Sequence, residues 1–433
     1  MKQNVYLQFS VALFAAVSMH AAEPATISSP ATNTVSLDAL VADILQNNPE
    51  LSFYASEIAA AKGERRTAAL FANPELSTQA GAKSVRGRGA SDEGMAWSVS
   101  LQQPFEWPGR IPLRKAIANQ QIKLAELGYA QFKVALASKA RTLAYNLYAA
   151  QEKSAAAHEV ADRFQALREV LVQRDPAGLT PALETRIVES TELTLHRKAT
   201  EESLEVQAAL LQLNQLRGQP WTSSLRVAPS NLSFISPPAA AALMDAARTN
   251  NFEVQMRKAE LEQQGFKVSL ARNERYPAIS VGPYFSQERA GDTENIAGVG
   301  VTIPLPLWNR NKGGIETARA RELQAQTSLY VTQREIERKV MEQMLRYQTK
   351  LNEMARWRPD SVERFREAAE LADRHYRLGA VPITTYVELQ KQYLEAVEAL
   401  LDTKREALDA GQQLQFLTGL DFEAVQTKPD NTK

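Results

Sequence analysis

Catalytic and ligand-binding chemistry needs nucleophiles, acids and metal ligands in workable spacings, and this sequence offers few. Cysteine is absent, which removes disulfides, thiolate metal sites and thiol catalysis together. Beyond the first 22 residues the histidines are His158, His196 and His375. They stand alone, with no HExxH and no paired spacing, so no resident metal is expected. The Gly-rich stretch GRGASDEG (Gly87–Gly94) lacks the Lys-Ser/Thr pair of a phosphate loop. No Ser-His-acid set and no carboxylate pair can be identified from spacing. The expectation is a non-enzyme without catalytic residues or cofactor. With 50 Lys plus Arg against 50 Asp plus Glu, the chain also lacks the basic excess of a nucleic-acid binder.

What stands out instead is a stretch that occurs twice. Val301–Gly314 (VTIPLPLWNRNKGG) reads as a strand end, a proline break and a helix start, and Val99–Arg110 (VSLQQPFEWPGR) is an earlier copy. Each has alternating apolar residues, a Pro with apolar and aromatic neighbours, a Trp and then an Arg. The junction residues singled out are Pro104, Trp107 and Arg110 in the first copy, and Pro306, Trp308 and Arg310 in the second.

The elements around these junctions follow from periodicity and punctuation. Lys2, the apolar run Val11–Val17 and the small residues Ala21–Ala22 read as a secretory signal over residues 1–22, imperfect because Met19 or His20 falls at the −3 position. Later residues contain no apolar run long enough for a transmembrane helix, whereas barrel strands escape a hydropathy scan. Residues 23–35 read as an extended arm, and Ser36 can cap a helix running through 39–71. Strands are expected at about 75–103, with Trp97, Val99 and Leu101 alternating against serines and Gln102. No proline occurs from Leu113 to Asp175. The run Leu136, Ala140, Leu143, Leu147, Ala150, Ser154, Ala157, Val160, Phe164, Leu167, Leu171 steps by four and three, the signature of a helix packed along its length. Asp175–Pro181 makes a turn, a return helix covers 182–216, and Gly218 caps it.

After a linker at 219–238 the programme repeats. A helix is expected over 239–275, strands over 278–303, and a long helix from about Lys312 with Ile336, Val340, Met344, Tyr347, Leu351 and Met354 in its core. Pro359 interrupts that helix, with Asp360 and Ser361 available as caps. A second turn lies at Leu378–Pro382, a last helix at 383–417, Gly419 as its cap, and a polar tail at 421–433. Landmarks fix the register of the duplication. Asn47-Asn48 and Pro74 recur 203 residues later, Pro104 recurs 202 later, and Gly178, Pro181 and Gly218 recur 201 later. The chain therefore reads as two structural repeats, 23–218 and 239–420.

This programme, with PLPLWNRNKGG (Pro304–Gly314), LQNNPEL (Leu45–Leu51) and YRLGAVPITTYVELQKQYLEA (Tyr376–Ala396), resembles the outer-membrane efflux protein family, the TolC-like channels, and within it the heavy-metal CzcC/CusC-like branch. The resemblance implies a mainly α protomer with a small transmembrane β part. Three protomers would close a 12-stranded β-barrel in the outer membrane, continued by a long periplasmic α-barrel and belted by the linker and the termini. It implies the outer-membrane channel of a tripartite efflux system, a passive duct for substrates, heavy-metal cations first, fed by an RND-type inner-membrane pump and a periplasmic adaptor. A multidrug or type I secretion channel and a periplasmic adaptor with helical hairpins are the competing readings. The adaptor lacks support because no lipoyl-like β module is visible.

By the same resemblance the turns would be adaptor-docking tips, at Gly178, Leu179 and Thr180 and at Gly379, Ala380 and Val381. Glu184, Thr385 and Glu388 match a pore constriction, where three Glu388 carboxylates would favour cations. Trp107 and Trp308 are expected to pack where strand meets helix. Trp97 and Tyr284 divide between packing and the membrane interface.

Overall fold

The protein is described here from a computed structural model. It describes residues 34–87, 90–174, 182–228, 230–358, 360–420 and 425–429. The signal segment, the first hairpin turn and Pro359 lie outside the described residues. In chain order the described elements are β1 (Thr34–Val35), α1 (Leu37–Asn47), α2 (Glu50–Ala68), β2 (Glu75–Gly87), β3 (Ala90–Phe105), α3 (Arg110–Arg174), α4 (Ala182–Arg217), β4 (Arg226–Val227), β5 (Ser230–Phe234), α5 (Ala240–Asn250), α6 (Phe252–Asn273), β6 (Ile279–Ala290), β7 (Asp292–Thr302), α7 (Lys312–Met354), α8 (Ser361–Arg377), α9 (Ile383–Thr418) and β8 (Val425–Pro429).

The 65 residues of α3 extend about 98 Å at 1.5 Å per residue. Most of its heptad positions are buried, among them Leu136, Ala140, Leu147, Val160, Phe164 and Leu171. Their partners are Val188 of α4 and Tyr386, Leu394 and Leu401 of α9. Alanines at the tightest points (Ala140, Ala157, Ala161, Ala199) are essentially inaccessible, which brings backbones close and lets side chains interdigitate. The second long helix, α7, buries Ile336, Val340 and Tyr347 against α5 and α9.

Each repeat opens with two helices where the sequence suggested one. The break falls at Asn48-Pro49 and at Asn251, and its cause is the same in both copies. Asn48 Nδ2 donates to the carbonyl of Leu216 at 2.9 Å, while its Oδ1 accepts from Glu50 N. Asn251 Nδ2 donates to the carbonyl of Leu417 at 2.9 Å, while its Oδ1 accepts from Val254 N. Each buried amide thus starts one helix and satisfies an orphan carbonyl at the end of the return helix of its own repeat. Helix α3 also starts three residues earlier than expected, with Pro112 in its first turn, where a missing N–H costs nothing.

The residues read as linker and tail carry structure. Strand β4 pairs in parallel with β1, and β5 pairs antiparallel with β8. The linker is fastened to the long helices by side chains: Gln151 Nε2 donates to Leu225 O, Asn214 Nδ2 to Ser223 O, and Tyr347 OH to Ile235 O at 2.8 Å.

The main sheet has four strands in the order β2-β3-β6-β7, all antiparallel. Alternation divides its faces. One face carries Leu76, Trp97, Val99, Phe285, Val299 and Val301, and the other Lys83, Ser98, Ser100, Ser286, Glu288 and Glu294. On the polar face Lys83 bridges Glu288 at 2.8 Å and Glu294 at 3.2 Å. The β3–β6 ladder skips two positions around Pro283. At Gly282 there, a Cβ would lie 1.7 Å from the Leu101 carbonyl oxygen, so only glycine permits the approach. Among the described residues, strands β2 and β7 keep one edge each without a partner.

The clamp residues supply a test of the duplicated architecture. Asn48→Ala and Asn251→Ala are each expected to destabilise the fold by about 1–3 kcal/mol, the cost of a stranded buried carbonyl and a lost cap. Asn→Asp, which keeps the acceptor and loses the donor, should fall between. Thermal unfolding followed by circular dichroism checks the order; equal behaviour of Ala variants and wild type would remove the clamps from the account.

Candidate functional site

The features the sequence singled out lie at opposite ends of the described structure, the second hairpin tip at one and the sheet-to-helix junctions at the other. Gly178, Leu179 and Thr180 lie outside the described residues. The second tip closes α8 with a Schellman motif. Gly379 N donates to Tyr376 O at 2.9 Å and Ala380 N to His375 O at 2.8 Å. Gly379 sits at φ +73, the left-handed conformation that glycine adopts freely. Leu378 beside it is 80% exposed. Ala380 is exposed and Val381 half-buried, and Pro382 starts α9 with Thr385 N bonded to its carbonyl. The tip thus presents a small apolar knob on a rigid turn.

Just inside this tip, aromatic rings connect helices of both hairpins. Tyr376 of α8 stacks on Tyr386 of α9 with centroids 5.4 Å apart, and Tyr386 meets Phe164 of α3 at 5.0 Å. The Tyr376 hydroxyl donates to Glu184 of α4 at 3.4 Å. Burial pushes the Tyr386 hydroxyl well above the usual tyrosine range, and the nearby Asp373 carboxylate adds to the effect. Thr385 and Glu388 are exposed on α9, with Glu388 accepting from Gln392 at 3.0 Å. The structure therefore separates the three constriction candidates. Glu184 is held between hairpins by Tyr376, whereas Thr385 and Glu388 face solvent one turn apart.

Sequence reasoning missed the polar network one level deeper. Arg163 of α3 contacts Glu159, Glu370 of α8 and Gln390 of α9. Arg366 of α8 reaches both Glu159 and Glu370 at 3.5 Å. Gln390 is 1% exposed and donates to Ala369 O at 2.7 Å. The available signal was Gln390 itself, a polar residue in the apolar series Ile383, Tyr386, Leu394 and Val397. Further from the tip, Lys198–Glu398 at 2.8 Å and Lys153–Asp402 at 2.9 Å tie α4 and α3 to α9. Glu202 nearby has its carboxyl pKa raised by burial.

At the other end the two junctions differ. Pro104 lies within β3, opposite Ser280 and past the last β2 partner Gln102. It does not break the strand as the sequence suggested, because one side of β3 is already vacant there. Trp107 stacks on Tyr276 at 4.8 Å. Arg110, the first residue of α3, bonds Asn273 Oδ1, Asn273 O and, at 2.7 Å, Tyr276 O. In the second copy Pro306 and Arg310 are exposed and Trp308 is 94% exposed. The expectation that Trp308 packs within its own chain is corrected: its ring is exposed, while Asn311 after it bonds Ala271 O and Glu274 at the end of α6. Trp97 bonds Gln287 and tilts against Phe285 on the apolar face. Tyr284 belongs to the polar face, where its ring covers Gly298.

Among the described residues no group of three or more His, Asp or Glu can hold a metal ion, and no helix is long and apolar enough to cross a membrane. The arrangement suits a conduit wall: a sheet with one apolar and one polar face, running into very long helices that end in an exposed tip.

Comparison with known proteins agrees. A sequence profile described as outer membrane efflux protein matches residues 243–420. The chain is 24% identical over 398 residues to the pyoverdine export outer membrane protein OpmQ of Pseudomonas aeruginosa, covering 86% of this chain and 83% of that one. It is 26% identical over 295 residues to the cobalt-zinc-cadmium resistance protein CzcC of Cupriavidus metallidurans, covering 66% and 67%. The solved structure of CusC superposes with a TM-score of 0.70 at 15% identity, over 91% of this chain and 95% of that one, so the fold is TolC-like. In its profile match over 243–420, in its relatives and in its TolC-like fold, the chain is similar to the outer membrane efflux protein family.

Proposed function

We propose that the chain is one protomer of a homotrimeric outer-membrane channel, the exit duct of a tripartite efflux system. Substrate is handed over by an RND-type inner-membrane pump through a periplasmic adaptor, and the channel itself performs no catalysis. The observation that carries this reading is the four-stranded sheet with an apolar and a polar face and two open edges, joined to helices as long as α3. In lipid the apolar face meets acyl chains, the polar face lines a lumen, and the edges need neighbours.

The exposed turn at Gly379, Ala380 and Val381, with its counterpart Gly178, Leu179 and Thr180, supplies the adaptor-docking tips. A rigid Schellman turn with an exposed apolar residue offers a helical hairpin a defined surface. Glu388, exposed on α9 near that tip, supplies three carboxylates to a ring around the axis, with Thr385 one turn nearer the tip. Such a ring attracts cations. Together with the metal-resistance names of CzcC and of the nickel-cobalt-cadmium resistance protein NccC, 25% identical over 315 residues, this favours heavy-metal cations as cargo. A cargo like pyoverdine is the second reading, because the similarity to the pyoverdine export protein OpmQ spans more of the chain.

Two measurements test this reading. Removing the chain from its host should lower tolerance to cobalt, zinc or cadmium, and restoring it should return tolerance. Unchanged metal tolerance with lost export of pyoverdine would transfer the cargo assignment to the second reading. In planar bilayers Glu388→Gln should reduce the cation preference read from the reversal potential without altering assembly. A preference equal to wild type would reject the carboxylate ring.

A further inference from the structure

Where α9 meets α6 and α7, the described residues form an open-sided cavity of about 560 Å³, a size usual for small-molecule sites. Part of its wall is peculiar to the second repeat. The two return helices align without a gap, because Pro181 and Gly218 recur as Pro382 and Gly419 at one offset of 201. By that offset Asp409 and Phe416, both on the cavity wall, stand where the first repeat has Ala208 and Gln215. By the 203 offset of the adjoining Asn47-Asn48, Phe252 stands where the first repeat has Pro49. The two rings so introduced meet at 6.5 Å between centroids. Both are half-buried, with part of their surface left open.

The polar wall holds groups that the fold leaves unused. Arg338 bridges Glu342 at 2.6 Å and Lys339 bridges Glu335 at 2.8 Å. Among the described residues Arg346, Glu253 and Asp409, also on the wall, form no salt bridge. Gln343 Oε1 is buried and accepts no hydrogen bond, a cost that a donor N–H in the cavity would remove. No group of His, Asp or Glu among the described residues is arranged to hold a metal ion there. The cavity also opens away from α5. Arg248 of α5 bridges Glu337 of α7 at 2.8 Å. Arg346 lies nine residues further on, about two and a half turns, and so on the opposite side of that helix.

We propose that this cavity binds small organic solutes of amino-acid or peptide type, which carry a ring, a carboxylate and an ammonium together. The solute ring lies against Phe252 and Phe416. Its carboxylate takes the free fork of Arg346. Its ammonium is drawn to Asp409 and Glu253, and an amide N–H meets Gln343 Oε1. A bare metal cation would leave the rings and Arg346 unused. An organic anion without an ammonium would face two uncompensated carboxylates. The site is made by one chain and does not depend on assembly. On the channel reading above, it opens on the side of the wall away from the belt and gives such solutes a resting point along the duct.

Saturation-transfer NMR on the full chain in detergent, with the dipeptide glycyl-phenylalanine as probe, tests the site. Saturation should pass most strongly to the phenyl protons. Arg346→Gln should weaken dipeptide binding about tenfold or more, as loss of a charge-assisted contact does, and leave binding of the dipeptide's C-terminal amide unchanged. Asp409→Asn should weaken dipeptide binding and leave that of N-acetyl-glycyl-phenylalanine unchanged. Arg405→Gln, outside the cavity, should change none of the three. No saturation transfer to a chain with native helix content would overturn the site. Dipeptide binding equal in wild type, Arg346→Gln and Asp409→Asn would overturn it too, as would a loss falling equally on all three probes. These results leave the channel reading standing, because none of them reads transport. Specific binding by a chain recovered as a soluble monomer would keep the site and overturn the channel.

Discussion

Two unpaired edges of the four-stranded sheet set the terms for the whole molecule. Each edge presents a row of backbone N–H and C=O groups, and within a hydrocarbon layer each unmet group costs several kcal/mol. Water satisfies such an edge in a soluble protein, but the apolar face of this sheet is suited to lipid. Other strands must cover β2 and β7. Lys83, Glu288 and Glu294 are gathered on the polar face of the sheet and paired there.

Below the sheet the constraint changes from backbone to side chains. A helix such as α3 satisfies its own hydrogen bonds along its length and needs neighbours only for its apolar seam. Alanine-rich contacts draw α3, α4 and α9 together, while strands from the linker and both ends of the chain fasten the middle through Gln151, Asn214 and Tyr347. Toward the tip the seam admits polar groups, the Arg163, Glu370 and Gln390 network and the Tyr376–Glu184 contact. These add directional bonds to the apolar and aromatic packing of Phe164, Leu171, Ile383 and Tyr386. Cross-helix ion pairs of this partly exposed kind contribute modestly each, in the range of about 0–1 kcal/mol.

Much of this was legible because periodicity reports burial. The four-three steps from Leu136 to Leu171 and the alternation through Trp97, Val99 and Leu101 mark buried or membrane-facing residues whatever their partners. What stayed hidden depended on partners far away in the chain. The helix breaks at Asn48 and Asn251 come from carbonyls at Leu216 and Leu417. The short strands β4, β5 and β8 exist only by pairing or by fastening to distant helices, and their polar sequences carry no alternation of their own. Trp308 was misread because its likeness to Trp107 is local, whereas the stacking partner Tyr276 belongs to the other repeat. Of the constriction candidates, no local pattern distinguishes Glu184, which bonds a tyrosine of the other hairpin, from Glu388, which stays exposed.

The central claim, that several copies of a duplicated unit close into one membrane-embedded duct, is tested most directly by the mass of the assembly. Protein extracted from outer membranes in detergent and measured by native mass spectrometry should carry three chains, giving twelve strands from four per copy. A single chain, or a species recovered from the soluble fraction without detergent, would contradict the account.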